Sequence, residues 1–246
     1  MLSAAFGIGG AVLSTPGVRL LGASALVAVG TTLPSILPSA ATGTARYWRE
    51  GLVERRVVAV VAPVGVVTAV AGSLASHEVP GEGHWLMVLT AVLVGITAVR
   101  LGRGTGSPEA GPGVVRPRLG QRGETIGAVA LGLVAGFLSG LLGVGGGVIL
   151  LPGFLEVLRL PVKSAIATSL ACVGVLAVPA TVAHAFLGDI DWRLALLLAV
   201  AVVPGARLGA ALAIRASDRR LRLAVAAVLG AIALVYGITE LRSALR

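Results

Sequence analysis

Residues 124–158 read ETIGAVALGLVAGFLSGLLGVGGGVILLPGFLEVL. Only Glu124 and Glu156 in this run can carry a charge. As one helix it would be about 52 Å long at 1.5 Å per residue, against a hydrocarbon core of about 30 Å. One crossing cannot hold it, so the chain must fold back. The Gly143–Gly147 run is the place, because glycine reaches positive φ without steric cost and weakens a helix. The short piece 148–158 then reads as a half-helix or re-entrant segment. The stretch predicts an all-α integral membrane protein with helices broken at glycine motifs.

The rest of the chain agrees. Of its 246 residues 56% are hydrophobic and 13% charged, where a soluble domain has about 45–50% and about 25%. Mean hydropathy is +0.96. Apolar segments run roughly 2–18, 23–45, 57–76, 84–101, 124–142, 148–158, 164–187, 193–214 and 222–240. They predict about eight to nine transmembrane segments in the cell membrane. The net charge of +9 would suggest nucleic acid in a soluble protein. Here the basic residues cluster between apolar runs, without interleaved aromatics, so the partner they imply is the lipid bilayer and not nucleic acid. Cys172 is the single cysteine, and His77, His84 and His184 are scattered. That pattern gives no disulfide, no zinc spacing and no cofactor.

Residues 102–123 are rich in Gly, Pro and Arg and form the one real linker. It separates a first membrane repeat, 1–101, from a second, 124–246. Phe6-Gly7-Ile8-Gly9-Gly10-Ala11-Val12 resembles Leu142-Gly143-Val144-Gly145-Gly146-Gly147-Val148, and each run reaches a Pro-Gly pair at the same offset. Gly30-Thr31-Thr32-Leu33 matches Ala167-Thr168-Ser169-Leu170. Tyr47 falls opposite His184, Gly51 opposite Gly188, and Pro63 opposite Pro204. If 124–158 forms an up-down hairpin, loops 46–56, 100–122, 159–163 and 215–222 share one face and hold 15 of the 20 Lys and Arg. The positive-inside rule favours that arrangement, which inverts the second repeat relative to the first. The first repeat is expected to lack the lead helix that precedes the glycine motif in the second.

Inverted repeats with broken helices bring two half-helix ends to one midplane site. The candidate substrate-binding residues are therefore Gly9, Gly10, Gly145, Gly146 and Gly147, whose backbone N–H groups would face an anion. Close helix packing through small residues is the competing explanation. The hydroxyls of Thr31, Thr32, Thr168 and Ser169 could donate to an oxyanion or bond back to their own helices. Arg207 is the one basic residue well inside an apolar segment, and either pairs with the anion or snorkels to the interface. His184, near the end of its span, is either interfacial or a donor to substrate. Glu156 is the only acid inside an apolar segment away from its end. Pro34, Pro38, Pro63, Pro179 and Pro204 should kink their helices.

The run Phe137-Leu138-Ser139-Gly140-Leu141-Leu142-Gly143-Val144-Gly145-Gly146-Gly147, then Leu151-Pro152, resembles the signature of the TauE/SafE sulfite exporter family. Ala167-Thr168-Ser169-Leu170 and Val203-Pro204-Gly205-Ala206-Arg207-Leu208-Gly209 look like its second-half motifs. The resemblance covers nearly the whole chain. It implies a multi-pass permease for sulfite, thiosulfate, sulfoacetate or related sulfur anions. Ala11 departs from it, standing where the third glycine would be.

The expected function is therefore transport of a small anion by a protein that is not an enzyme, with room for a homo-oligomer. A non-transporting membrane scaffold is the alternative, but a scaffold gains nothing from repeated helix breaks. An intramembrane enzyme is a weaker one. Its best pair, Cys172 and His184, would sit about 18 Å apart along one helix.

Overall fold

A computed structural model describes residues 2–8, 11–20, 22–78, 84–103 and 122–244. Every regular element among them is an α-helix. In chain order these are α1 (Leu2–Phe6), α2 (Ala11–Leu20), α3 (Ala25–Arg49), α4 (Arg55–Ala75), α5 (His84–Arg103), α6 (Arg122–Leu142), α7 (Gly147–Glu156), α8 (Val162–Leu187), α9 (Trp192–Arg215) and α10 (Asp218–Ala244). Five of them, α3, α4, α6, α8 and α9, are long and apolar enough to cross a membrane. Of the linker expected at 102–123, residues 104–121 lie outside the described residues, and its ends belong to α5 and α6.

The breaks in the helices follow local sequence. The long run 124–158 ends α6 at Leu142 and restarts as α7 at Gly147, with Gly143, Gly145 and Gly146 at φ +63°, +78° and +71°. The apolar segment 2–18 is likewise two helices, with Gly7 at φ +68° between them. The α3 helix outlasts its apolar run by a turn, so Arg46 and Arg49 complement the negative end of its dipole. The five prolines expected to kink helices all lie inside them: Pro34 and Pro38 in α3, Pro63 in α4, Pro179 in α8 and Pro204 in α9. Glu156 closes α7 and meets Arg100 of α5 at 2.8 Å, with the arginine more than half exposed. This acid is half of an ion pair at the rim rather than a lone charge in the interior.

The most extensive helix pair is α4 on α6, and glycine is the reason. Gly132, Gly136 and Gly140 repeat every fourth residue along α6, so they share one face. A Cβ on Gly132 would sit 2.7 Å from Val61 O, and one on Gly136 would strike Gly65 O. On α4, a Cβ on Gly72 would strike Phe137 O. Backbone therefore touches backbone along the crossing, which is how helices associate where burial from water supplies no drive. Around this pair, α3 packs on α8 and α9, α4 packs on α8, and α5 packs on α10.

Candidate functional site at the crossed glycine turns

The two glycine turns meet. A Cβ on Gly147 would lie 2.6 Å from Ile8 Cα and 2.8 Å from Gly7 O. Each turn is also pressed by the second helix after its partner turn in the chain. Gly143 packs on Val29 of α3, with the Val29 carbonyl 3.0 Å from its Cβ position. Gly7 packs on Ile166 of α8, with Ile166 Cα at 2.9 Å. Residues 143–148 are buried throughout. Irregular backbone at such depth is tolerated only inside protein or along a cavity.

The hydroxyls named from sequence stitch this centre together. Thr31 Oγ1 of α3 accepts from the Asp191 N–H at 2.9 Å, and Asp191 is the residue that caps α9. Thr168 Oγ1 of α8 accepts from the Glu54 N–H at 3.0 Å, and Glu54 stands at the start of α4. Each therefore serves a helix start in the other half of the chain. Ser169 Oγ donates to Gly7 O at 2.8 Å. Thr32 Oγ1 lies 3.0 Å from both Ala28 O and Val29 O of its own helix, and 3.1 Å from Thr15 Oγ1 of α2. All four hydroxyls are fully buried.

Replacing Thr31 or Thr168 strands a partly buried N–H that starts a helix in the other half of the chain, at a cost of about 1 kcal/mol, the low end for an orphaned donor. Thr31→Val and Thr168→Val should each lower the thermal unfolding midpoint of the purified chain. Thr90→Val should not, because Thr90 only bonds back to Leu86 O in its own helix. Equal midpoints for all three would show that the two bonds between the halves contribute nothing.

Gly145, Gly146 and Gly147 line the second turn, and Gly146 is the αL residue that opens α7. Gly9 and Gly10 lie outside the described residues. Arg207 stands apart from this centre. It is exposed, in a groove of about 570 Å³ with Arg46, Arg49 and Thr42 between α3 and α9. The buried face of α9 is the small-residue stripe Ala206, Gly209, Ala210 and Ala213. Arg207 is rotated off that stripe, a distinction hydropathy cannot make.

The space beside Gly146 is about 10 Å³, walled by Leu138, Leu142, Val144 and Val148, which is about enough for one water. A far roomier groove of about 1060 Å³ lies between α3, α4 and α8, but its wall is aliphatic, with Val70, Leu74, Val178 and Phe186 exposed on it. That lining suits acyl chains, not an anion.

Sequence reasoning left one cluster unassembled. His184 Nδ1 and His77 Nε2 both lie 2.8 Å from Asp189 Oδ2. The signal was present in Gly188-Asp189. Gly188 adopts φ +81° after α8, its N–H bonds to Ala185 O, and the Asp189 N–H bonds back to His184 O at 3.1 Å. That is a Schellman turn, which sets Asp189 beside His184. The same turn ends α3, where the Gly51 and Leu52 N–H groups bond to Trp48 O and Tyr47 O. Beside it, Tyr47 Oη donates to Ala4 O at 2.8 Å, as His184 Nε2 approaches Gly140 O at 3.1 Å. Among the described residues no group of His, Cys, Asp or Glu could hold a metal ion.

Comparison with known proteins agrees with this architecture. The family model described as "Sulfite exporter TauE/SafE" matches residues 1–236. A "Probable membrane transporter protein" of Xylella fastidiosa (strain 9a5c) is 29% identical over 86% of this chain and 79% of its own. The "Probable membrane transporter protein YjnA" of Bacillus subtilis (strain 168) is 28% identical over 91% of this chain and 89% of its own. The YunE protein of the same organism, described in the same words, is 38% identical over 34% of this chain and 31% of its own. No solved structure matches. A match along almost the full length, on an apolar helical bundle whose signature glycines form its buried centre, makes this chain a multi-pass plasma-membrane member of the TauE/SafE sulfite exporter family.

Proposed function

We propose that this chain carries a small anion across the membrane, most specifically sulfite or a related sulfur oxyanion or organosulfonate, and that the anion binds where the two glycine turns cross. The observation that carries the reading is the contact of Gly147 with Gly7 and Ile8. It sets the N-terminus of α7 in the buried centre. The first N–H groups of a helix have no acceptor within it, and the end they occupy is the positive end of the helix dipole. Glycine leaves room for an anion to reach them. The sulfur-anion class comes from family membership.

Two inverted repeats, 1–101 and 124–246 joined by 102–123, give the simplest account of eight to nine crossings. The paired Schellman turns, the Tyr47–Ala4 and His184–Gly140 contacts, and the reciprocal threonine bonds all fall at matching positions. The space of about 10 Å³ beside Gly146 is too small for an anion, so in this reading the two repeats part and close alternately around the site. In this scheme Gly9, Gly10, Gly145, Gly146 and Gly147 supply N–H groups. Thr31, Thr32, Thr168 and Ser169 hold the frame. Arg207 acts at the rim, where an arriving anion first meets positive charge.

Purified protein in proteoliposomes, offered sulfite, thiosulfate, sulfoacetate and sulfate separately, should show saturable flux of at least one. No flux of any of them from folded protein would sink the assignment.

A further inference from the structure

Both ring nitrogens of His184 have polar partners. Its Nε2 lies 3.1 Å from Gly140 O, and its Nδ1 lies 2.8 Å from Asp189 Oδ2. A carbonyl oxygen can only accept, so the Gly140 contact is a hydrogen bond only when Nε2 carries a hydrogen. The contact at Nδ1 then needs a second hydrogen, on the imidazole or on the carboxyl group. Both bonds are therefore made at once only when the pair holds one proton more than a neutral imidazole beside an ionised carboxylate.

Loss of that proton breaks one of the two bonds. Either Nε2 turns a lone pair on Gly140 O, or Nδ1 turns one on Asp189. The first severs α8 from α6 three residues before the Gly143 turn. The second frees the loop that leads into α9. A buried polar group left facing the wrong partner costs about 1–3 kcal/mol, enough to bias two packings of one bundle. His184 is fully buried, the Asp189 side chain is 8% exposed and the His77 side chain is 35% exposed. The cluster therefore runs from the interior to solution through His77.

We propose that His184 and Asp189 form a proton-binding site, with His77 as its exchange point with solution, and that protonation there couples proton movement to anion movement. The proposal rests on the transport reading above and adds its coupling ion.

The surroundings are arranged for this. On α3, Gly30 allows the close approach, since a Cβ there would sit 2.8 Å from Asp189 Cβ. On α6, Ser139 is uncharged, and its Oγ is buried without a partner; so is Thr181 Oγ1, one helical turn before His184 on α8. The charged residues nearest in sequence, Glu78, Asp191 and Arg193, are exposed. Asp191 is committed to capping the N–H groups of Arg193 and Leu194. At the matching position of the first half, Tyr47 bonds Ala4 O through a phenol, which keeps its proton at neutral pH. One of the two matching links thus answers to protons and the other does not.

Two measurements test it. In proteoliposomes, thiosulfate (a dianion across the range used) and sulfite are followed under a pH gradient and in counterflow at equal pH, with protein-free vesicles as the blank. One coupled proton sustains about tenfold accumulation per pH unit. Wild type should reach that ratio, and a protonophore should abolish it. Asp189→Asn and His184→Gln should bring gradient-driven accumulation down to the level of counterflow. Wild-type flux indifferent to the gradient, or variants that accumulate like wild type, would overturn the proposal. Absence of any wild-type flux would instead sink the transport reading. Independently of substrate, ¹⁵N spectra of the histidines should show both His184 nitrogens protonated on the acid side and one released as pH rises. An imidazole that stays neutral beside an ionised carboxylate throughout would refute the site even if anion flux is found.

Discussion

Gly147→Ala should lower anion flux by about tenfold to a hundredfold while the chain remains folded in the membrane. Gly147 has no positive φ, so alanine is free to adopt its backbone conformation, and the change is one methyl group. That methyl would lie 2.6 Å from Ile8 Cα and 2.8 Å from Gly7 O. Both are backbone atoms, which cannot rotate away as a side chain can. The two turns must separate, at an overpacking cost of about 1–3 kcal/mol. Each 1.4 kcal/mol is about a factor of ten. Gly95→Ala is the control, because its methyl would meet only Ala233 Cβ at 3.6 Å, an ordinary contact. Flux from Gly147→Ala equal to flux from Gly95→Ala would mean that the turns can part without consequence, and the crossing would lose its claim to be the site.

The second large effect is on stability. Gly140→Ala would drive a methyl into Ala69 O and to 2.6 Å from Ser73 N, both in α4. Nothing at that crossing can yield without moving a helix. At this chain length about 1–3 kcal/mol corresponds to a midpoint lowered by on the order of 5 °C. Gly230→Ala, whose methyl would meet Ala98 Cβ at 3.9 Å, should match wild type. Thermal unfolding in detergent separates the two. A Gly140→Ala midpoint within error of wild type would show that α4 and α6 are not held by backbone contact.

Much of this was written in the sequence. The excess length of 124–158 and its glycine run located the α6–α7 break, because a span too long for the bilayer must turn where backbone is least restricted. Matching motifs identified the two turns that meet. What escaped was facing. Hydropathy placed Arg207 inside a span, but only the small-residue stripe at 206, 209, 210 and 213 tells which side of α9 is buried. The Thr31 and Thr168 hydroxyls stood between donating to an anion and bonding back to their own helices, and nothing local showed that they also accept from helix starts 160 and 114 residues away. Such pairings depend on crossings between halves, which no local pattern encodes. The His77–Asp189 contact spans 112 residues and was illegible for the same reason. The His184–Asp189 contact, set by a local Schellman turn, could have been read.

The bond from Thr168 to Glu54 also sets a schedule for biosynthesis. The ribosome delivers Glu54 long before Thr168, and with 114 residues between them the delay is on the order of ten seconds at 5–20 residues per second. The Gly7 carbonyl waits longer still, for Ser169, 162 residues downstream. During that interval the Gly7 carbonyl has no Ser169 hydroxyl to accept from. The first half can therefore reach its final packing only after α8 has been made, late in the chain's own translation.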